Sequence, residues 1–313
     1  MNRSVSHFLT GFLFLLPAGV APAAAQSFES VGARALGMGG AFVAVANDSS
    51  ATWWNPAGLA DGPFLDMALA RSTTELPGDR EDRASWFALG TPPFGFSYYR
   101  LQITNIRPSN PTVGAAVSRQ QRGDEVAGGR LSASQLGVTL LHTLVPGIHA
   151  GATVKWVRGS VDERDTENSA DVDVGLLTVT GPFRLGVTGR NLRETEFAEG
   201  AFALRRQIRV GAAFSAAQLP GPPLTVAVDA DIRRYETVLG DRRVIAVGAE
   251  HWLLARRIGV RGGARFNTVG EEERAATAGA SVALRSGLYV DGFIVRGGLA
   301  DDDGWGVAAR VSF

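Results

Sequence analysis

From Phe64 to Phe313 the chain falls into segments of about 9 to 13 residues in which apolar and polar side chains alternate. The last segment shows this best. Trp305, Val307, Ala309, Val311 and Phe313 fall on one face, and Gly306, Ala308, Arg310 and Ser312 on the other. Likewise Ile258, Val260, Gly262, Ala264 and Phe266 alternate with Arg257, Gly259, Arg261, Gly263 and Arg265, and Leu224, Val226, Val228, Ala230 and Ile232 alternate with Thr225, Ala227, Asp229, Asp231 and Arg233. Ile208, Val210, Ala212 and Phe214 do the same against Arg209, Gly211, Ala213 and Ser215. A period of two sends successive side chains to opposite faces of a strand, so one face of each segment suits lipid and the other water. The pattern predicts fourteen strands, at about 64–72, 82–90, 93–102, 131–142, 147–158, 169–179, 182–192, 205–217, 222–234, 242–253, 256–266, 274–284, 287–297 and 303–313. Two of them, 93–102 and 287–297, have no readable phase, and Phe94, Phe96, Tyr289 and Phe293 are compatible with either face.

The links sort by length. Thr91-Pro92, Val145-Pro146, Thr180-Gly181, 219–221, Leu254-Ala255 and Arg285-Ser286 are tight, and several hold Pro or Gly. Those between them, at about 73–81, 103–130, 159–168, 193–204, 235–241, 267–273 and 298–302, are longer and more polar. Bacterial outer-membrane barrels alternate short periplasmic turns with long outer loops in this way. A soluble two-sheet sandwich also alternates polarity, but its strands are usually shorter and it has no reason to sort its turns. The expected fold is therefore all-β, a transmembrane antiparallel barrel of about fourteen strands over residues 63–313, with both chain ends on the periplasmic side.

Residues 26–62 break the pattern. They are rich in Gly and Ala and hold Trp53-Trp54-Asn55-Pro56-Ala57-Gly58, with Asp48 or Ser49 placed to cap a short helix. Phe42, Trp53, Trp54 and Leu59 are costly to leave in water, so this segment is expected to fold into the lumen as a hatch, or plug. Pro56 disfavours helix at Asn55 and turns the chain there. Residues 1–25 read as a cleaved signal peptide: Arg3 opens a basic start, residues 8–20 are apolar, and Ala23-Ala24-Ala25 supplies small residues for cleavage. Elsewhere no apolar run reaches the roughly 20 residues that a membrane-spanning helix needs, so a place in the outer membrane must rest on strands.

Composition narrows the chemistry. The chain has no Cys, which excludes disulfides, thiolate catalysis and Cys-based metal sites. Its formal net charge is zero, which gives no reason to expect nucleic acid as a partner. The 39 glycines are spread along the chain, as suits tightly curved sheet. Gly37-Met38-Gly39-Gly40 is no phosphate loop, since no strand precedes it. His7, His142, His149 and His251 have no ligand spacing. The acidic runs 162–165 and 301–303 read as solvated loop charge. There is no G-x-S-x-G elbow and no readable Ser-His-Asp set. No cofactor, metal or enzymatic activity is expected.

The run 32–48, Gly-Ala-Arg-Ala-Leu-Gly-Met-Gly-Gly-Ala-Phe-Val-Ala-Val-Ala-Asn-Asp, followed by Trp54-Asn55-Pro56-Ala57-Gly58-Leu59, resembles the opening of the FadL-like outer-membrane proteins, most closely their PorV/PorQ branch. Weaker echoes are 185–192, the Val247 to Trp252 stretch and the terminal Phe313. The resemblance implies a barrel closed by a hatch whose motif is Gly37, Gly39, Gly40, Asp48, Asn55, Pro56, Ala57 and Gly58. In one branch such barrels pass hydrophobic small molecules, and in the other they dock secreted proteins and hand them on. Outer-membrane lipids, lipopolysaccharide and the barrel-assembly machinery are the implied partners, the last through Phe313. Asp229, Asp231, Glu250, Arg261 and Arg265 sit at inward phases of neighbouring late strands, where opposite charges would pair across the lumen wall and tune what passes.

Overall fold

The structure, a computed structural model, describes residues 24–25, 31–76, 80–106, 129–161, 164–197, 202–216, 223–237, 240–270, 273–297 and 303–313. The signal-peptide reading lies outside these, save for Ala24–Ala25, which pairs in parallel with Phe202–Ala203. No described helix is long and apolar enough to cross a membrane.

Fourteen antiparallel strands close into one barrel. In chain order they are β1 Asp66–Leu76, β2 Arg80–Thr91, β3 Phe94–Ile106, β4 Gly129–Val145, β5 Ile148–Val161, β6 Arg164–Thr180, β7 Phe183–Arg190, β8 Gln207–Ser215, β9 Leu224–Asp231, β10 Val244–Leu253, β11 Ile258–Asn267, β12 Arg274–Arg285, β13 Leu288–Gly297 and β14 Gly304–Ser312. Each matches one expected strand. The ring closes where β14 pairs with β1, from Gly304 opposite Thr74 to Ser312 opposite Asp66. Leu65 and Phe313 extend that seam by exchanging backbone hydrogen bonds of 3.0 and 2.8 Å. Closure leaves no unpaired edge, which satisfies the backbone without water.

The alternation becomes a lipid-facing belt. Leu69, Phe94, Leu136, Val138, Trp156, Leu185, Val226, Ile294 and Trp305 are among the large apolar side chains left exposed on the outward face, a surface that suits acyl chains and not water. The undecided strands resolve in opposite ways: Phe94 and Phe96 point outward, whereas Phe293 is buried inside. Two links are shorter than expected. β1 and β2 stay paired to Leu76 opposite Arg80, and β5 and β6 to Val161 opposite Arg164, so 73–81 and 159–168 are mostly strand. Polarity there marks where the side chains leave the apolar belt, while the hydrogen-bond ladder continues past it.

The lumen is filled from within. Residues 31–62 form α1 Ala33–Gly37, α2 Ala51–Trp54 and a 3-10 turn Pro56–Asp61, all surrounded by the barrel. Ala24–Ala25 lies at the end opposite Phe313, so the two ends of the described chain are not on one side of the barrel as expected. At that end the β7–β8 and β9–β10 links fold inward. They carry the antiparallel pairs Glu196–Phe197 with Phe202–Ala203, and Tyr235–Thr237 with Gly240–Arg242. Phe197, Leu204 and Tyr235 are buried there, and the Phe197 ring lies on Gly159 of β5.

Candidate functional site

The site is the contact between residues 31–62 and the inner wall, and it begins with side chains that are absent. Three glycine pairs face each other across strand ladders: Gly151 and Gly175 on β5–β6, Gly186 and Gly211 on β7–β8, and Gly248 and Gly263 on β10–β11. Each seats backbone of the inner segment. A Cβ at Gly151 or Gly175 would overlap Pro56 or Asn55, one at Gly186 or Gly211 would meet Val43 and Ala44, and one at Gly248 or Gly263 would overlap Met38. The segment contributes glycines of its own. Gly39 has φ +68°, and its missing Cβ would stand 2.8 Å from the Ala264 nitrogen; Gly40 has φ +82°. Such a backbone is rarely adopted by residues with a side chain. Gly58 lies against the Ala46 carbonyl, and Gly37 against Arg261 and Gly279.

Asn55 is fully buried and anchors the turn. Its Nδ2 donates to the Val43 carbonyl at 2.9 Å and to the Leu176 carbonyl of β6 at 3.0 Å, and its Oδ1 accepts from Ala57 N at 3.1 Å. One amide thus ties two stretches of the segment to the wall. Pro56 occupies the first turn of the 3-10 helix, where its lacking N–H costs nothing. The helix cap expected of Asp48 or Ser49 falls instead on Ser50, which makes no side-chain cap bond. Asp48 is otherwise engaged: it accepts from Ser50 N at 3.0 Å and pairs with Arg34 at 3.3 Å.

That ion pair opens a closed circuit of buried charge. Arg34 meets Glu250 at 2.7 Å, and Glu250 meets Arg261 at 3.5 Å. Arg261 reaches Asp291 both directly, at 3.9 Å, and through the Ser281 hydroxyl. Asp291 pairs with Arg310 at 3.1 Å, and Arg310 with Asp66 at 3.4 Å. Asp66 then accepts from Ser49 N at 2.8 Å, one residue from where the circuit began. Burial works against charge on the Arg34 guanidinium, but Glu250 and then Asp48 hold its pKa above the ordinary value. Arg34 is a permanent cation.

The other inward charges are also engaged. Asp229 accepts the Phe42 and Val43 N–H groups at 2.7 and 2.8 Å, and Asp231 pairs with Arg209 at 2.7 Å. Arg265 is buried on the same wall. The lone lysine, Lys155, lies 2.7 Å from Asp173, and Arg190 stacks on the Trp53 ring with its guanidinium carbon 3.6 Å from the centroid. Of these partners, the three glycine pairs, Arg34, Lys155 and Arg184 were not singled out from sequence. Arg184 donates to the Ala44 carbonyl at 2.8 Å and pairs with Asp61. Glycine at successive inward phases was the available signal. Phe313 stands at the outer edge of the seam, exposed, with its ring beside Gly287. Among the described residues no group of three acidic or imidazole side chains gathers to hold a metal ion.

On the lipid side of β4–β7 lies an apolar groove of about 480 Å³, walled by Leu140, Val174, Leu176 and Val187 and reaching Gly151 and Gly175. Asn55 and Pro56 sit directly behind those glycines. At this place the wall is backbone only.

The chain is similar in fold to the CymD monoaromatic hydrocarbon channel (TM-score 0.67, 11% identity, 92% of this chain and 99% of that one). It is similar also to the toluene transporter TodX of Pseudomonas putida (TM-score 0.57, 12% identity, 93% and 99%). A TodX deltaS2S3 mutant channel gives a TM-score of 0.58 at 12% identity, over 90% and 98%. The family model described as "F plasmid transfer operon, TraF, protein" matches residues 110–231, a stretch that includes β4 to β9. No curated protein is matched by sequence. At these identities the likeness is one of architecture: the fold is that of the CymD and TodX barrels.

Proposed function

We propose that this protein resides in the bacterial outer membrane and passes hydrophobic small molecules passively, with residues 31–62 as the plug that gates them. The observation that carries this reading is the apolar groove whose floor is Gly151 and Gly175, with Asn55 and Pro56 of the plug immediately inside. An apolar solute that moves from water inside the barrel to this groove gains by leaving water, and only backbone separates the groove from the plug. A shift of the Asn55–Pro56 turn would open space behind the glycine pair. No step needs an energy source. Architectural likeness to hydrocarbon channels supports the same class of solute. Filling the groove from outside with Ala152→Trp is expected to slow toluene uptake into proteoliposomes while leaving the barrel folded. Uptake by the wild type no faster than by protein-free vesicles would overturn the proposal.

A second reading, docking of secreted proteins as in the PorV/PorQ branch that the 32–59 motifs resemble, has its own support. Above the plug the described lumen holds buried ion pairs, including Lys155 with Asp173 and Arg209 with Asp231. Under that reading the outer rim acts, and photo-crosslinkers placed at Glu194 on intact cells capture secreted proteins while hydrocarbon uptake stays at background.

A further inference from the structure

We propose that the end of the barrel opposite Phe313 carries a binding site for a phosphate- or sulfate-bearing anion. Arg205 and Arg206 immediately precede β8, and Arg233 and Arg234 follow β9. These two strands are neighbours, so the four arginines line one open cavity of about 310 Å³.

The lumen below and the cavity differ in how their charges are matched. Directly beneath, Arg209 meets Asp231 at 2.7 Å with both side chains buried. In the cavity the match is loose. Arg234, largely in solvent, reaches Asp241 at 3.3 Å. Arg206 stands 3.9 Å from Glu194, and its Nε has no acceptor. Arg233 is exposed and has no ion-pair partner among the described residues. Arg205 is the better satisfied of the four, through Glu196 at 3.0 Å. Four guanidinium groups thus line one hollow against three nearby carboxylates, those of Glu194, Glu196 and Asp241, and guanidinium matches the oxygens of a tetrahedral anion, which can take paired N–H bonds from more than one of them.

The frame that holds them is fixed. Arg206 donates to the Leu192 carbonyl at 2.9 Å, Asn191 donates to the Arg205 carbonyl at 3.1 Å, and the Arg193 N–H is held by Asp171 at 3.0 Å. On the other side Asn267 holds the Asp241 carbonyl at 3.1 Å. The backbone that carries the cluster is held before a ligand arrives, which favours binding. Such an anion could come from a soluble phosphate ester or from a phosphorylated lipid headgroup of the surrounding leaflet.

The test uses the full-length protein in phosphatidylcholine nanodiscs with pyrophosphate as the probe, followed by calorimetry. Binding is expected to weaken with added salt and to fall by about tenfold or more in Arg233→Gln/Arg234→Gln, as the loss of charge-assisted bonds requires. Arg233→Lys/Arg234→Lys keeps the charge and should keep a larger part of the binding. In a parallel arm the nanodiscs contain lipid A or its dephosphorylated form. Retention of phosphorylated lipid A alone, lost in the glutamine variant and without pyrophosphate binding, assigns the source to the lipid. Binding of neither probe, or equal binding by the wild type and the folded glutamine variant, overturns the site.

Discussion

The wall and the segment inside it are stabilised in different ways, and the difference shows what each can tolerate. In the wall, fourteen strands pair in a closed ladder, so backbone bonds carry the structure and an outward side chain need only be apolar. Inside, residues 31–62 contain two short helices and a 3-10 turn, too little regular structure to stand alone. They are held by close backbone approach at glycine, by one asparagine amide and by a circuit of buried ions. The wall should absorb single substitutions that the inner segment cannot.

Two adjacent glycines of β11 make the sharpest test. Gly262 points outward, and a Cβ there would come no nearer than 3.7 Å to any neighbour, whereas one at Gly263 would overlap the Met38 backbone. Gly263→Leu is therefore expected to unseat the segment, since neither backbone can give way and the cost exceeds the roughly 1–3 kcal/mol of ordinary overpacking. The variant should keep the heat-modifiable mobility of a folded barrel while light proteolysis removes the N-terminal residues and conductance in planar bilayers rises. Gly262→Leu should behave as wild type. Equal behaviour of the two variants would dissolve the distinction between wall and segment.

The ion circuit comes next in size. Glu250 lies between Arg34 of the segment and Arg261 of the wall, so Glu250→Ala leaves two buried cations short of a partner and should cost about 3–5 kcal/mol. Replacing both members of one pair, as in Arg34→Met/Glu250→Leu, removes one of the two uncompensated cations and should recover part of that loss. The readout is denaturant resistance of the protease-protected N-terminal segment. A double variant no better than Glu250→Ala would show that the pair acts by shape and not by charge.

How far this was legible follows from the same contrast. The strands of the wall are written in local alternation, as in Trp305, Val307 and their neighbours, and the inward phase of Glu250 and Arg261 follows from it. Alternation is silent where both faces are apolar or small. Phe94 and Phe293 therefore had no assigned side until the structure placed the first outward and the second inward. It also misjudged the ends of β1 and β5, where pairing outlasts the apolar belt. The inner contacts were largely hidden because their partners are far apart in sequence: Arg34 meets Glu250, and Asp229 receives the Phe42 and Val43 N–H groups. Asn55-Pro56 announced a turn through its own chemistry, but nothing in the sequence told that Gly175 would lie behind it. The links 193–204 and 235–241 looked merely polar, although Phe197, Leu204 and Tyr235 within them are buried.

The smallest of these effects concerns Asn55, and it separates hydrogen bonding from packing. The amide donates twice, to Val43 and Leu176, and accepts once, from Ala57. Asn55→Ala leaves those backbone groups buried without their partner, at a cost of about 1–3 kcal/mol. This is a fraction of what misplaced backbone costs at Gly263, so the segment should stay seated but open more often. Asn55→Asp has almost the same shape and keeps the acceptor for Ala57, yet its carboxylate has no hydrogen to offer the two carbonyls and faces them with negative charge. If donation to Val43 and Leu176 is what matters, Asp should be worse than Ala despite its closer fit. The measurement is the rate at which protease nicks the N-terminal segment under conditions where the barrel itself resists, compared across wild type, Asn55→Ala and Asn55→Asp. An order in which Asp matches wild type would mean that the side chain holds the turn by filling the space against Gly175, and that the two donated bonds are incidental.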